Sequence, residues 1–370
     1  MPTPWESLAN EHILGIAPYE PGKPIEELER ELGIHDAIKL ASNENPLPPC
    51  ERVQKAIIGA LASLNRYPDG GGFYLRQALA KKHGVTPEHI MLGNGSNELI
   101  ELLVHAFVRP GDEAVVPHPS FVVYPMSVQA SGGIRVVVML KDHRLDLEGM
   151  ARAITPLTKL VFIANPNNPT ATMVTADEVE RFMARIPERT IVVFDEAYIE
   201  FAQGPDFPDS LAYMKQGRKV AVLRTFSKAA SLAGLRAGYG VADPDAIALL
   251  NRIRPPFNVN SLAQAAALAA LDDESHVLEC VRLIDAGRHF LYDEFKALGI
   301  KYVPSRANFI LVDVGRSAAE IYQKLLREGV IVRPMTSFGM ETALRITIGT
   351  PQENRRLVAA LRAVLGKTSA

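Results

Sequence analysis

Cysteine is nearly absent from this 370-residue chain, where only Cys50 and Cys280 occur. Two thiols so far apart exclude a disulfide framework, and no Cys-x-x-Cys or Cys/His spacing offers a ligand set for zinc or an iron–sulfur cluster. That usage suits a reducing compartment. Charge of one sign is lacking too: 40 basic side chains oppose 42 acidic ones, for a net charge of −2. The balance argues against a basic nucleic-acid-binding face and against an acidic tail. No apolar run approaches the roughly 18 residues that a membrane helix needs. The opening, Met1-Pro-Thr-Pro-Trp-Glu6, has neither the basic nor the apolar stretch of a signal peptide. A soluble cytoplasmic protein without metal, membrane or nucleic-acid partners is expected. Apolar residues at 47% and charged ones at 22% are ample for a large core, and the length suggests two or three domains.

The first forty residues are broken by Pro18, Pro21, Gly22 and Pro24 before a short helical stretch, Ile25 to Leu32. Such an opening reads as an arm lying over another part of the molecule. From about Pro49 to Ile253, short apolar runs alternate with amphipathic segments. The runs Ala114–Val116, Ile134–Leu140, Leu160–Ala164, Ile191–Phe194 and Val220–Leu223 read as buried strands. Ser96–Phe107 and Thr175–Arg185 read as helices, the second opened by a capping box of Thr175 and Glu178. Strands without polar alternation, separated by helices, predict a mostly parallel sheet covered on both faces. Two prolines in Arg254-Pro-Pro-Phe257 suggest a boundary. Beyond it come an Ala-rich helix (Ser261–Leu271) and a long helix from Ser275 to about Leu298. Three short strands follow near Phe309–Val312, Val330–Val332 and Leu344–Ile348, then a terminal helix capped by Thr350 and Glu353. This half reads as a smaller α+β domain.

Two nucleotide-binding signals fail. Gly93-Asn-Gly-Ser-Asn-Glu98 starts like a dinucleotide fingerprint but has Glu98 where the third glycine is needed. Gly366-Lys367-Thr368 imitates the end of a P-loop, but position 361 is Leu and no strand precedes it. It reads as a frayed tail. The histidines form no His-Glu-x-x-His, and there is no Gly-x-Ser-x-Gly elbow.

Four features remain, each at the carboxyl end of an expected strand, where open α/β sheets place ligands. Gly93-Asn-Gly-Ser-Asn97 leads into a helix, so the N–H groups of Gly95, Ser96 and Asn97 can either cap that helix or receive an anion. Asn165-Pro-Asn-Asn-Pro169 is a turn that also projects amides into the crevice. Asp195, followed by Glu196, Ala197 and Tyr198, ends an all-apolar strand and needs a cationic or protonated partner, either structural or bound. Thr225-Phe-Ser-Lys228 brings a lysine beside Thr225 and Ser227 hydroxyls, with Arg236 eight residues on. An anion site, a carboxylate, a phenol and a lysine together suit pyridoxal 5′-phosphate. Lys228 would hold its aldehyde, and Asp195 would keep its ring nitrogen protonated. Tyr198 and an asparagine would bond the ring oxygen, and Ser96, Ser227 and Arg236 would bind the phosphate.

On these residues the sequence resembles fold-type I aminotransferases, and within them it is most similar to histidinol-phosphate aminotransferases. The likeness runs from about Ile16 to the last helix. It is carried by Leu40-Ala-Ser-Asn-Glu-Asn-Pro46, Asn65-Arg-Tyr-Pro68, Pro166-Asn-Asn-Pro169, Asp195-Glu-Ala-Tyr198, Ser227-Lys228, Ala233-Gly-Leu-Arg-Ala-Gly238 and Leu344-Arg-Ile-Thr347. The resemblance implies an aspartate aminotransferase-like α/β fold: a large domain with a mostly parallel central sheet (41–256) and a smaller discontinuous α+β domain (1–40 with 257–370). It implies Lys228 as the Schiff-base lysine and proton carrier, Asn168 and Tyr198 at the ring oxygen, and Asp195 at the ring nitrogen. Phe121 would stack on the ring where many relatives have Tyr. Tyr67 would reach the cofactor phosphate of a neighbouring subunit in a homodimer with shared sites. Arg345 would take the substrate's carboxylate or phosphate, with Tyr19, Asn43 and Arg333 also on the substrate. One departure is Ala171, where many relatives have Gly; a positive φ there would cost of order 1 kcal/mol.

The activity so implied is transfer of the amino group of L-histidinol phosphate to 2-oxoglutarate, in histidine biosynthesis. An aromatic amino-acid (Phe/Tyr) aminotransferase and a threonine-phosphate decarboxylase share the same cofactor residues and stay open at this point. A ligand-sensing regulator would need an appended DNA-binding module, for which the first forty residues give no helix-turn-helix.

Overall fold

The apolar runs read as strands form strands in the computed structural model, which describes residues 3–202 and 204–366. Met1-Pro2 of the opening segment and Lys367-Thr368 of the P-loop-like tail lie outside the described residues. The strands are β1 (Ile38–Lys39), β2 (Ile90–Asn94), β3 (Glu113–His118), β4 (Ile134–Met139), β5 (Thr158–Ala164), β6 (Ile191–Asp195) and β7 (Val220–Thr225). They continue as β8 (Ala237–Ala242), β9 (Lys301–Tyr302), β10 (Phe309–Asp313), β11 (Val330–Ile331), β12 (Arg333–Pro334) and β13 (Ala343–Thr347).

Seven of them form one sheet in the order β2-β8-β7-β6-β5-β3-β4, parallel except for β8, which runs antiparallel to both neighbours. Alternate residues of the central strands feed two separate cores. Val161, Ile163, Val192, Phe194 and Val222 pack on one face, and Leu160, Phe162, Val193, Ala221 and Leu223 on the other. Both faces are covered, so the strands read as unbroken apolar runs, as parallel strands do.

One strand expectation changes, and one strand was not expected. The run at β4 was expected to be buried, but Ile134, Val137 and Met139 are exposed. β4 is the edge strand, and an apolar run does not tell an edge from a centre. In addition β8, Ala-Gly-Tyr-Gly-Val-Ala, is fully buried although its glycines depress strand propensity. Gly238 explains the choice. It pairs with Gly93 on one side and Thr225 on the other, and a Cβ there would lie 2.5 Å from the backbone nitrogen of Ser96.

The second sheet, β12-β13-β10-β9, is antiparallel. It shares a core with the helix Glu274–Ala297 through Phe309, Ile310, Leu344, Ile346, Ile284 and Phe295. Residues 25–41 join this half: Leu28, Ala37 and Ala41 pack on Leu326 and Ile331, and β1 pairs with β11. The Ala-rich helix Ser261–Leu271 behaves otherwise. It was expected within the small domain, yet Ala263, Ala266 and Ala267 are buried in the core of the large sheet. Its small residues let it pack closely on the helices Glu51–Leu61 and Phe73–His83. Both expected capping boxes form, Thr175 with Glu178 and Thr350 with Glu353.

Ala171 adopts φ 58° and is fully buried in the small-domain core. The left-handed strain of about 1–2 kcal/mol is opposed by about 0.8 kcal/mol for one buried methyl and by the lower chain entropy of alanine when unfolded. Ala171→Gly should therefore change unfolding free energy by less than about 1 kcal/mol. Gly238→Ala should cost about 1–3 kcal/mol by overpacking. Urea unfolding of both variants checks the contrast, and equal effects would contradict it.

Candidate active site

A cleft of about 440 Å³ opens between the carboxyl ends of the large-sheet strands and the small antiparallel sheet. Parallel strands end at one edge, so the turns after β2, β5, β6 and β7 all face it.

At one end lies the amino terminus of the helix Gly95–Phe107, which follows β2 directly. Gly95 takes φ 74°, and a Cβ there would come within 2.5 Å of the Arg236 guanidinium. The Gly95 N–H is committed to the carbonyl of Arg236, at 2.9 Å, while Ser96 and Asn97 line the cleft. Thr225 donates from its hydroxyl to Ser227 Oγ at 2.9 Å, and Arg236 donates to the same Oγ at 3.3 Å. Backbone amides at a helix start, two hydroxyls and a guanidinium make a cradle for a phosphate.

In the middle, Asp195 ends β6 and is nearly inaccessible to solvent. Burial raises its pKa to about 6, against a hydroxyl proton donated by Tyr124 at 2.7 Å and the Ala197 N–H, which both lower it. Tyr124 is wholly buried, stacked on Phe162 and edge-on to Phe121. Lys228, after β7, has its pKa lowered to about 8, first by burial and then by the positive field of Arg345. Its ammonium lies 5.5 Å from the Tyr198 ring centroid and 3.4 Å from the carbonyl of Ser42. Burial also raises the Tyr198 phenol.

At the far end, β13 carries Arg345. Its guanidinium donates to Asn168 Oδ1 at 2.6 Å and to the carbonyl of Ala41 at 2.7 Å, while its Nε is buried without a partner. Arg333 sits at the mouth, 5.6 Å from the ring of Tyr19, and donates to the carbonyl of Glu20 at 2.6 Å. Tyr19 and Glu20 of the opening segment thus lie at this end of the cleft.

Of the expected site residues, Tyr19, Asn43, Ser96, Asn97, Phe121, Asn168, Asp195, Tyr198, Thr225, Ser227, Lys228, Arg236 and Arg345 all line this one cleft. Gly95 and Arg333 flank it. Tyr67 does not enter: it is 82% exposed and stacks on Phe257 at 4.6 Å. The residue-by-residue reading missed Tyr124, although three positions after Phe121 on a helical turn was a usable signal. Ser42, Asn94 and Pro166 also line the cleft; each lies in a segment singled out from the sequence but was not itself named for the site. The two cysteines are free, and no group of three His, Cys, Asp or Glu side chains among the described residues could hold a metal ion. No helix among them is long and apolar enough to cross a membrane.

These pKa shifts have a consequence for pyridoxal phosphate capture by the cofactor-free protein. Asp195 must be ionised to hold a protonated ring nitrogen, which it is above about pH 6; Lys228 must be neutral to attack an aldehyde, which it is above about pH 8. The capture rate, followed by visible absorbance, should rise through both values. Tyr124→Phe removes a bond that favours the carboxylate, so the lower limb should move upward. An unmoved limb would count against the Tyr124–Asp195 contact.

Comparison with known proteins agrees with this geometry. The family model for aminotransferase class I and II matches residues 35–361. A histidinol-phosphate aminotransferase of Moorella thermoacetica is 50% identical over 356 residues, covering 96% of this chain and 92% of that one. Another, from Pseudomonas aeruginosa, is 49% identical over 97% of this chain and 98% of its own length. The crystal structure of the Sinorhizobium meliloti histidinol-phosphate aminotransferase, in complex with pyridoxal-5′-phosphate, aligns with a TM-score of 0.87 at 31% identity, over 95% of this chain and 96% of that one. The Thermus thermophilus aspartate aminotransferase with maleate aligns at 0.82, with 26% identity over 97% of this chain and 98% of its own. The chain therefore belongs to the class I and II aminotransferases and, among them, to the histidinol-phosphate aminotransferase family.

Proposed function

We propose that this chain is a pyridoxal-phosphate-dependent transaminase that moves the amino group of L-histidinol phosphate to 2-oxoglutarate, within histidine biosynthesis. The observation that carries the reading is one cleft in which a desolvated lysine and a desolvated carboxylate lie between two separate anion-binding ends. The relatives near 50% identity over almost the whole chain support the substrate. They also favour transamination of histidinol phosphate over the aromatic and decarboxylase alternatives.

The donor set fits the cofactor. Ser96, Asn97, Thr225, Ser227 and Arg236 form the cradle for its phosphate, which glycine at 95 and 238 leaves open. Asp195 retains the proton of the ring nitrogen, and Tyr124 fixes that carboxylate in place. Asn168 has its Oδ1 taken by Arg345, which leaves its amide N–H to face the ring oxygen together with Tyr198. Phe121 supplies an apolar face for the ring. Bound pyridoxal phosphate supplies an aldehyde for Lys228 and an electron-poor ring that draws charge from the substrate's Cα. Lys228 would take the proton from that Cα, and a pKa lowered to about 8 suits its amine to accept and return a proton near neutral pH. Arg345 carries an unpartnered buried N–H for the carboxylate of glutamate or the phosphate of histidinol phosphate, with Arg333 and Tyr19 beside it. Asn43, expected there too, lines the cleft but has its amide spent on Thr347 and Tyr198.

The reading includes a cytoplasmic homodimer in which Tyr67 serves the neighbouring subunit's phosphate site. Its support is the exposed aromatic group of Tyr67, Phe73, Tyr74 and Phe257 on a cofactor-binding chain.

Lys228→Ala should lose half-transamination by at least about 10³-fold while circular dichroism and the unfolding midpoint stay near wild type. A fully active variant would disprove the assignment. The substrate is tested by kcat/KM for histidinol phosphate beside phenylalanine with 2-oxoglutarate as acceptor. Histidinol phosphate should lead by roughly tenfold or more, and the reverse order would select the aromatic aminotransferase.

A further inference from the structure

Asn43 is an unusual residue for its place. It is 1% exposed, it holds φ 56°, and each polar group it owns is engaged within the chain. Its backbone N–H donates to Thr347 Oγ1 at 2.9 Å, and its carbonyl accepts from Asn308 Nδ2 at 3.0 Å. The Thr347 hydroxyl in turn donates to Asn43 Oδ1 at 3.3 Å. That bond decides the orientation of the amide: with Oδ1 taken as acceptor, Nδ2 must point the other way. There it donates to Tyr198 Oη at 3.0 Å. The phenol oxygen is therefore an acceptor, and among the described residues this is its only hydrogen bond. Its own proton is left to turn into the cleft that Tyr198 lines.

We propose that Asn43 and Thr347 are positioning residues that aim the Tyr198 hydroxyl proton into the cleft at the ring oxygen of the cofactor. The inference rests on the pyridoxal-phosphate reading above and deepens it. Asparagine suits position 43 on two counts, since it tolerates the left-handed backbone and carries a donor and an acceptor on one short side chain. The chain of bonds also has a source outside the large sheet. Thr347 and Arg345 are two apart on β13, so they project to the same face. Arg345 orients Asn168, and Thr347 orients Tyr198 through Asn43. One strand of the small sheet thus sets both groups assigned to the ring oxygen. A proton directed at that oxygen draws charge from it and leaves less to retain the neighbouring proton on the Lys228 nitrogen. Aiming the phenol lowers the pH at which the holoenzyme's visible band titrates.

Two variants test this in the pyridoxal-phosphate-loaded protein. Asn43→Gly keeps the left-handed backbone and deletes the amide; Thr347→Val keeps a β-branched strand residue and deletes the hydroxyl. In both, the pH midpoint of the visible absorption should rise by about one unit, and the dialysis Kd for pyridoxal phosphate should weaken roughly fivefold. An unchanged midpoint in the two variants would overturn the proposal. So would a rise confined to KM for histidinol phosphate, which would make Asn43 a direct substrate contact. A wild-type protein that gains no visible band with pyridoxal phosphate fails earlier, at the reading of the site itself.

Discussion

An acid and an amine share one cleft and are both withdrawn from water, and most of the architecture follows from holding them there. Raising Asp195 from 3.8 to about 6 leaves the ligand-free protein carrying about 3 kcal/mol of unfavourable ionisation at neutral pH. The sign is that of an acid whose folded pKa is raised: the penalty is absent below about pH 4 and fully present above about pH 6. A cationic ring nitrogen held against Asp195 would offset it. The two cores on either face of the seven-stranded sheet supply the burial that keeps the cost in place.

The positive charge of the site is assembled from distant segments. Arg236 follows β7, Arg333 and Arg345 lie on β12 and β13, and all sit at or beside one cleft. A net charge of −2 over the whole chain conceals this concentration. The field of Arg345 also acts on Lys228, so the group assigned to the substrate helps to keep the amine ready to lose its proton. The small sheet is therefore tied to both groups proposed for the ring oxygen, because β13 reaches Asn168 directly and Tyr198 through Asn43.

Residues with a local reason to be where they are could be read from the chain. An apolar run ending in Asp195, or in Thr225 ahead of Lys228, marks a strand and the turn beyond it. Thr175 with Glu178 marks a helix start. Elements whose reason is a neighbour could not be read this way. β8 is rich in glycine because Gly238 passes under the Ser96 amide, which is a contact between residues 142 positions apart. β4 reads as buried because its residues are apolar, and its place at the sheet edge leaves Val137 and Met139 exposed. The alanines of Ser261–Leu271 gave a helix but not its partner. Tyr124 stood in plain view in the chain, yet its value comes from the depth at which it meets Asp195.

The amino-acid sequence by itself determined the alternation of helix and strand, the turn chemistry at the strand ends, and the set of groups suited to pyridoxal phosphate. These follow from short-range physics: hydrophobic periodicity, capping and the chemistry of single side chains. The tertiary structure alone decided which groups are desolvated, which amide faces which hydroxyl, and where the large domain gains the helix Ser261–Leu271. Those depend on burial and on hydrogen bonds between residues hundreds of positions apart, such as Asn43 with Thr347, and no local pattern encodes them.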